Sequence, residues 1–277
     1  MCDLKFEISE TAWCPGCGDH NILECLKNAL ESLGKKPHEV LVVGGIGQAA
    51  KTPQYINANG FCGLHGRSLP PAVAAKIVNS NLTVVVDTGD GDTYGEGGNH
   101  FIHNIRRNVD ITHFVHNNQI YGLTKGQASP TTDIQVAGSI NEPLNPILLA
   151  ITMGAGFVAR AFSGDKEHLT SVMIEAIKYR GYALVDILQP CVSFNKVNTY
   201  QWYSKRVYKI DDSYDASNKL KAMEKAMEWG DRIPIGILYK ENKQVFNDKI
   251  EFLKGDQVLV EKKTDMEKIK GYLKDFE

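Results

Sequence analysis

Short unbroken apolar runs alternate with stretches of helical period as far as about residue 200. Val40-Leu41-Val42-Val43 is the first run and ends in Gly44-Gly45. Leu82-Thr83-Val84-Val85-Val86-Asp87 ends in Thr88-Gly89-Asp90-Gly91-Asp92, and Ile111-Thr112-His113-Phe114-Val115-His116 ends in Asn117-Asn118. Phe157-Val158-Ala159-Arg160-Ala161 and Ala183-Leu184-Val185-Asp186-Ile187-Leu188 complete the set. Runs apolar at successive rather than alternate positions suit strands covered on both faces. Between them, Ile22, Leu26, Leu30 and Leu33 share one face of a predicted helix over 19–33, with Gly34 placed to end it. Leu169, Val172, Met173 and Ile177 repeat the theme over 166–180 before Gly181, and residues 97–108 can hold one more helix. The repetition predicts an α/β fold: a doubly wound parallel sheet with right-handed crossovers and ligands at the carboxyl ends of its strands.

From Gln201 the texture changes. Lys, Glu and Asp become frequent, with a helix-like stretch at 217–229 and a short strand at 234–239. The chain therefore reads as a main domain, residues 1–200, and a C-terminal extension, 201–277, that packs on the main domain or on a partner.

Composition narrows the function without naming it. The 277 residues, 43% hydrophobic and 23% charged, are those of an ordinary globular chain with room for a sizeable core. A net charge of −2 advertises neither nucleic-acid nor membrane binding, and no apolar run approaches membrane-spanning length. Six cysteines (Cys2, Cys14, Cys17, Cys25, Cys62 and Cys191) are too few and scattered for a disulfide framework. A reducing, cytoplasmic setting is expected, in which Cys14-Pro15-Gly16-Cys17 is a metal, cluster or redox pair. Cys25 reads as a packed thiol beside the apolar face of the first helix, and Cys2 as a terminal residue.

The strongest chemical signal is Gly89-Asp90-Gly91-Asp92 followed, with residues 92–116 between Gly91 and the second motif, by Asn117-Asn118. Each half ends a predicted strand, and adjacent strand ends lie about 5 Å apart. Asp90 and Asn118 can thus share one small cation; Mg²⁺ takes oxygen ligands and is usually completed by substrate phosphates. The glycines admit backbone N–H groups close to a diphosphate. A turn rich in Gly and Asp is the alternative for GDGD alone, but the second half at this spacing favours the thiamine diphosphate signature. Lys51, His65, Arg67 and Lys125 all fall on loops at strand ends, where positive charge or donors stabilise electron-rich groups; Lys51 and Lys125 read equally as solvated loop lysines.

The run from Gly89 to Asp133, with Trp13-Cys14-Pro15-Gly16-Cys17-Gly18, the segment from Gly63 to Pro70, and Gln189-Pro190-Cys191-Val192-Ser193-Phe194-Asn195, closely resembles the β subunit of 2-oxoacid:ferredoxin oxidoreductases over roughly residues 10–240. The resemblance implies the diphosphate-binding half of a thiamine-diphosphate-binding fold. It implies Asp90, Asn118 and the Ile120 carbonyl as Mg²⁺ ligands, and Gly89, Gly91, Asp92, Leu123 and Thr124 around the diphosphate. His65 resembles a family histidine near the cofactor, and Lys51 and Lys125 join it as catalytic candidates. An α subunit would supply the pyrimidine half of the site and much of the substrate pocket. The activity implied is oxidative decarboxylation of a 2-oxoacid to acyl-coenzyme A, with electrons leaving through a [4Fe–4S] cluster to ferredoxin.

Cys14, Cys17 and Cys191 match three cluster ligands of that family, but Gln48 stands where another cysteine is expected, and an amide is a poor iron ligand beside thiolate. Three accounts compete: Cys62 reaches the cluster by a rearranged loop; three thiolates hold it with a weak or exogenous fourth ligand; or the cluster is lost, leaving relics or a zinc or disulfide site. Two functional rivals follow, a cluster-less, non-oxidative 2-oxoacid decarboxylase subunit and a non-catalytic metal- or cluster-binding module.

Overall fold

Side chains at successive strand positions point to opposite faces, so a run of valines needs cover on both sides. The computed structural model describes residues 5–134, 136–255, 257–274 and 276, and it supplies that cover. In chain order, α1 (Gly18–Ser32) leads to β1 (Val40–Gly44), and α2 (Thr52–Tyr55) to β2 (Asn59–Cys62). Then come α3 (Leu69–Val78), β3 (Thr83–Gly89), α4 (Gly98–Arg107), β4 (Ile111–Asn117) and a small hairpin of β5 (Ile120–Tyr121) and β6 (Gln127–Ala128). The chain continues through α5 (Pro146–Met153), β7 (Phe157–Phe162), α6 (Lys166–Lys178) and β8 (Tyr182–Leu188). It ends with α7 (Tyr200–Ser204), β9 (Val207–Lys209), α8 (Lys219–Ala226), β10 (Ile233–Lys240) and α9 (Met266–Lys274).

The main sheet runs β2-β1-β3-β4-β8-β7-β10-β9. The first six of these are parallel; β10 lies antiparallel to β7, and β9 parallel to β10. Val40, Val42, Val85, Phe114, Ala183 and Val185 pack beneath α1 and α6. Val84, Val86, Ile111, Val115, Tyr182 and Leu184 face α3, α4 and α5 on the other side. Alternate residues of one run thus feed two cores, which is why the runs are apolar throughout.

Each of the five expected strands and the three expected helices is present, as are the helix and strand of the tail. Beyond residue 200 the chain continues the main sheet: β10 pairs along β7 and buries Ile233, Ile235 and Leu238. An edge at β7 would otherwise show a row of unpaired backbone groups. Cys2 lies outside the described residues.

Asn108 closes α4 in the left-handed region at φ 54°. Its Oδ1 accepts the Tyr182 N–H at 2.9 Å, and its amide nitrogen reaches the Gln244 carbonyl at 3.2 Å, tying α4 to β8 and the tail. Asn108→Ala should destabilise the chain by about 2 kcal/mol in denaturant titration. Asn108→Gly should recover the backbone share alone.

Candidate active site

From β1 the chain moves outward to β2, then returns past β1 to lay down β3 and β4 on the other side. This reversal opens a crevice at the carboxyl ends of β1 and β3, where sheets of this type bind ligands. A cleft with about 590 Å³ of empty space occupies it. Gly89, Asp90, Gly91, Asp92, Asn118, Ile120, Leu123, Thr124 and His65 all line it, so the GDGD and NN halves meet as their spacing requires. A Cβ at Gly89 or Gly122 would project into open space, so their backbones stand bare at the wall.

Asp90 is buried at the base, and its Oδ2 accepts from Ser129 Oγ at 2.5 Å and Thr131 Oγ1 at 2.7 Å. Both bonds fall on one oxygen, which leaves Oδ1 for a ligand. Burial pushes its carboxyl up to about 6, against the pull of those two hydroxyls. Asn118 Oδ1 accepts the Ile120 N–H at 2.9 Å, and Gln119 between them takes φ 60°. This turn sets the Asn118 side chain and the Ile120 backbone on one wall. A carboxylate, an amide oxygen and a carbonyl are the hard donors that suit a small divalent cation.

Asp92 plays a different part from the other lining residues. Its Oδ1 accepts the N–H groups of Gly66 (2.8 Å) and Ile46 (3.0 Å), and His65 Nδ1 stands 2.8 Å away. Burial raises its carboxyl, and the N–H groups hold it down. The expected diphosphate contact is thus a carboxylate already occupied in fastening two loops and orienting His65. Glu96 Oε2 lies 3.4 Å from the same His65 nitrogen. Lys51 ends a tight turn over Ala49–Lys51, half-buried, and Lys125 sits exposed at φ 75° in the β5–β6 turn. Neither lysine, nor Arg67, is among the cleft's lining residues.

Tyr121 and Gly91 are sterically matched. A Cβ on Gly91 would fall on the Tyr121 ring, well inside van der Waals contact, and one on Gly95 would meet its hydroxyl. Gly91→Ala should displace Tyr121 and the hairpin and weaken thiamine diphosphate binding about tenfold or more. Adding Tyr121→Ala should recover part of the loss, readable by cofactor titration.

The cysteine-bearing segments converge next to the cleft. Trp13 donates its indole N–H to the Gln48 carbonyl at 2.9 Å, and Gln48 itself lines the cleft. Ser193 Oγ lies 3.1 Å from Cys14 Sγ, Gln189 Nε2 donates to Cys17 Sγ at 3.2 Å, and the Phe194 N–H to Cys191 Sγ at 3.4 Å. Burial raises the Cys17 thiol, with Asp19 and Cys191 adding to it. Cys62, at the end of the edge strand β2, contacts Gln54 (3.9 Å). Cys25 is buried in the core beneath α1. Among the described residues no three His, Cys, Asp or Glu side chains converge as a single-ion site such as zinc would need. A four-iron cluster holds its thiolates further apart than one ion does.

Sequence reasoning missed the supports of this site. Ser129 and Thr131 come from Ser129-Pro130-Thr131-Thr132-Asp133, a dense hydroxyl cluster just after the NN turn that is itself a signal. His116 reads in the sequence as part of an apolar strand; it lies buried between Asp19 (Nδ1–Oδ1 2.6 Å) and Asp87 (Nε2–Oδ1 2.5 Å). Burial pulls its pKa down, but the two carboxylates outweigh it and push it up to about 10. Asp19 also accepts from Cys17 Sγ at 3.3 Å, so the chain Asp87–His116–Asp19 ends at the cysteine segment.

A parallel sheet whose switch crevice carries GDG and NN turns with oxygen donors at its base defines a thiamine-diphosphate-binding domain, in its diphosphate-binding half. Residues 43–187 match the family described as thiamine pyrophosphate enzyme, C-terminal TPP binding domain, and residues 191–255 match the C-terminal family of the pyruvate ferredoxin oxidoreductase beta chain. The chain is 46% identical to the 2-oxoacid:ferredoxin oxidoreductase subunit beta of Saccharolobus solfataricus, over 87% of this chain and 84% of that one. It is 43% identical to 2-oxoacid:ferredoxin oxidoreductase 1, subunit beta, of Aeropyrum pernix, over 82% and 77%. A solved 2-oxoglutarate:ferredoxin oxidoreductase from Magnetococcus marinus, with 2-oxoglutarate, coenzyme A and succinyl-CoA bound, superimposes with a TM-score of 0.86 at 34% identity, covering 90% of this chain and 89% of that one. The chain belongs to the 2-oxoacid:ferredoxin oxidoreductase family, as a β subunit. This favours the oxidoreductase over the non-oxidative decarboxylase and the non-catalytic module. Among the described residues no helix is long and apolar enough to cross a membrane.

Proposed function

We propose that this chain, with an α partner, oxidatively decarboxylates a 2-oxoacid to acyl-coenzyme A and passes the electrons to ferredoxin. The observation that carries the reading is the meeting of Asp90, Asn118, Ile120 and His65 in one cleft at the switch crevice. Asp90 Oδ1, Asn118 Oδ1 and the Ile120 carbonyl would hold Mg²⁺, and the bare backbone at Gly89 and Gly122 would receive the diphosphate, with Gly91, Leu123 and Thr124 beside it. When bound, thiamine diphosphate supplies a nucleophilic carbon and an electron sink for the 2-oxoacid. Asp92 fixes the His65 ring through Nδ1, so that Nε2 is its free polar atom for a ligand. Lys51 and Lys125, on turns whose neighbours Ala49 and Thr124 line the cleft, would contribute positive charge toward a substrate carboxylate. The α subunit supplies the pyrimidine half of the site, and we place the complex in the cytoplasm, where thiolates stay reduced.

For the cluster, the donors on Cys14, Cys17 and Cys191 support three thiolate ligands, since hydrogen bonds to sulfur are part of how proteins tune such centres. Cys62 faces Gln54, whereas Gln48, fastened to Trp13, adjoins the cysteine pair. We therefore favour three thiolates with a weak or exogenous ligand at the fourth iron. A bound cluster supplies one-electron transfer at low potential.

The test uses the complex with its α partner, purified without oxygen. 2-Oxoacid- and coenzyme-A-dependent ferredoxin reduction is expected, with iron, sulfide and an EPR signal altered by Gln48→Cys. Aldehyde as product from an iron-free complex would overturn the oxidative reading. Zinc in place of iron would overturn the cluster.

A further inference from the structure

Two buried polar groups of opposite character face one sulfur. Asp19, 1% exposed in the first turn of α1, accepts from Cys17 Sγ through Oδ2 at 3.3 Å. Gln189, 1% exposed just past the end of β8, donates from Nε2 to the same sulfur at 3.2 Å. A carboxylate and an amide donor thus meet at one atom, and they act on its charge in opposite directions.

Neither group is free to turn away. Asp19 Oδ1 is held at 2.6 Å by His116 Nδ1, which leaves Oδ2 toward Cys17. His116 pairs with Asp87 as well, so one imidazolium answers two carboxylates and a negative charge is left over. Gln189 Nε2 also donates to the Pro190 carbonyl at 3.2 Å, so turning the amide over would set its oxygen against that carbonyl. The amide keeps this orientation even though its Oε1 is buried without a partner. Its backbone is fixed too: the Gln189 N–H donates to the Asn117 carbonyl at 3.0 Å. A Cβ on Gly18 would come within 2.7 Å of Gln189 Cγ, so glycine at 18 makes room for the side chain.

Iron takes cysteine as thiolate, so the Cys17 hydrogen directed at Asp19 leaves when a cluster binds. The carboxylate then faces a negative sulfur with no hydrogen between them, while the Gln189 N–H still points at that sulfur. Reduction adds one electron and no proton to the cluster, so the reduced form carries one more negative charge. A donor to sulfur favours that form, and a nearby carboxylate opposes it.

We infer that Gln189 and Asp19 set the reduction potential of the cluster from two sides of Cys17, the amide raising it and the carboxylate lowering it. The inference rests on the cluster reading given above. Ser193, whose Oγ donates to Cys14 Sγ at 3.1 Å, acts on the amide's side of the balance. The electron comes from the 2-oxoacid and passes to ferredoxin, and the carboxylate keeps the reduced cluster a strong enough donor to pass it on.

The test is an EPR-monitored redox titration of the complex with its α partner, purified without oxygen. Asp19→Asn should raise the equilibrium constant for reduction about tenfold, or about 59 mV for one electron, and Gln189→Leu should lower it by a similar factor. Ser193→Ala, which deletes one hydroxyl from a loop, should shift the potential in the Gln189→Leu direction and guards against misfolding of the buried variants. Asp19→Glu, which keeps the charge, should stay nearer wild type than Asp19→Asn. Glu24→Gln, which removes a charge from the exposed face of α1, should leave the potential where it is. A purely structural role for these residues would lower the iron content and leave the potential of the remaining cluster unchanged. That result, or shifts of the same sign in Asp19→Asn and Gln189→Leu, overturns the proposal. A wild-type complex without iron and sulfide overturns the cluster reading instead.

Discussion

Asp90→Asn should cost the assembled enzyme its cofactor while making the cofactor-free protein more stable. Loss of an outer partner to a metal ligand typically costs ten- to a hundredfold in affinity, so loss of the charged ligand should raise the thiamine diphosphate dissociation constant by about a hundredfold or more. The opposite sign in stability comes from burial, which lifts the Asp90 carboxyl from 3.8 to about 6. A carboxyl whose folded pKa is raised holds its proton in the native state longer than in the unfolded one. Its ionisation therefore removes stability as pH rises from about 3.8 to about 6, and the full penalty applies above that. The asparagine variant escapes this penalty. Its melting temperature without Mg²⁺ should exceed wild type at pH 7.5 and converge with it near pH 4. Tight Mg²⁺-dependent cofactor binding by the variant would dispose of the metal assignment, and a lower melting temperature at pH 7.5 would dispose of the electrostatic one.

His116→Leu should be the most damaging single change to the fold. It leaves the buried carboxylates of Asp87 and Asp19 facing each other without the cation between them. Breaking a buried pair in this way costs about 3–5 kcal/mol, which for a chain of this size lowers the melting temperature by on the order of 10 °C. Asp87→Asn should be milder, because His116 keeps the Asp19 carboxylate as counter-ion. The pH dependence has a definite sign. His116 is held up to about 10, so its contribution is complete below about 6.5 and is lost as pH rises from there through 10. Buried His113 works the other way: burial lowers it to about 3, and protonating it costs stability as pH falls from 6.5. A stability profile of the His116→Leu protein that still declines between pH 7 and 10 as in wild type would refute the assignment.

How much of this was legible in the sequence follows from range. The five strands and the helices between them were readable because both faces of the sheet are buried, so the apolar signal is continuous along each run. The GDGD and NN turns were readable because strand ends fix where their residues go. β2 was not, since all four of its residues are exposed on the sheet's edge and carry no apolar signature. The joining of β10 to β7 was hidden for another reason: pairing across some 70 residues leaves no local mark in either strand. Within the site, Asp92 lies on the cleft wall because its turn ends β3, but its contacts to Ile46, Gly66 and His65 depend on three loops meeting. The same holds for Asp19 and Asp87 closing on His116 from α1 and β3. The departure at Gln48 was visible at once; its contact with Trp13 required the folded chain.

That contact has an evolutionary consequence. Gln48 forms part of the cleft wall and at the same time anchors, through its carbonyl, the segment that carries Cys14 and Cys17. Neighbours that share a backbone support do not mutate independently. A change elsewhere that displaces the backbone at residue 48 moves the cysteine segment and the cleft wall together, and compensation in one region is inherited by the other. Because the anchor is the main-chain carbonyl, exchanging Gln48 for cysteine keeps the Trp13 bond and alters only the side chain at the cleft wall, whereas any shift of the backbone at residue 48 carries both regions with it.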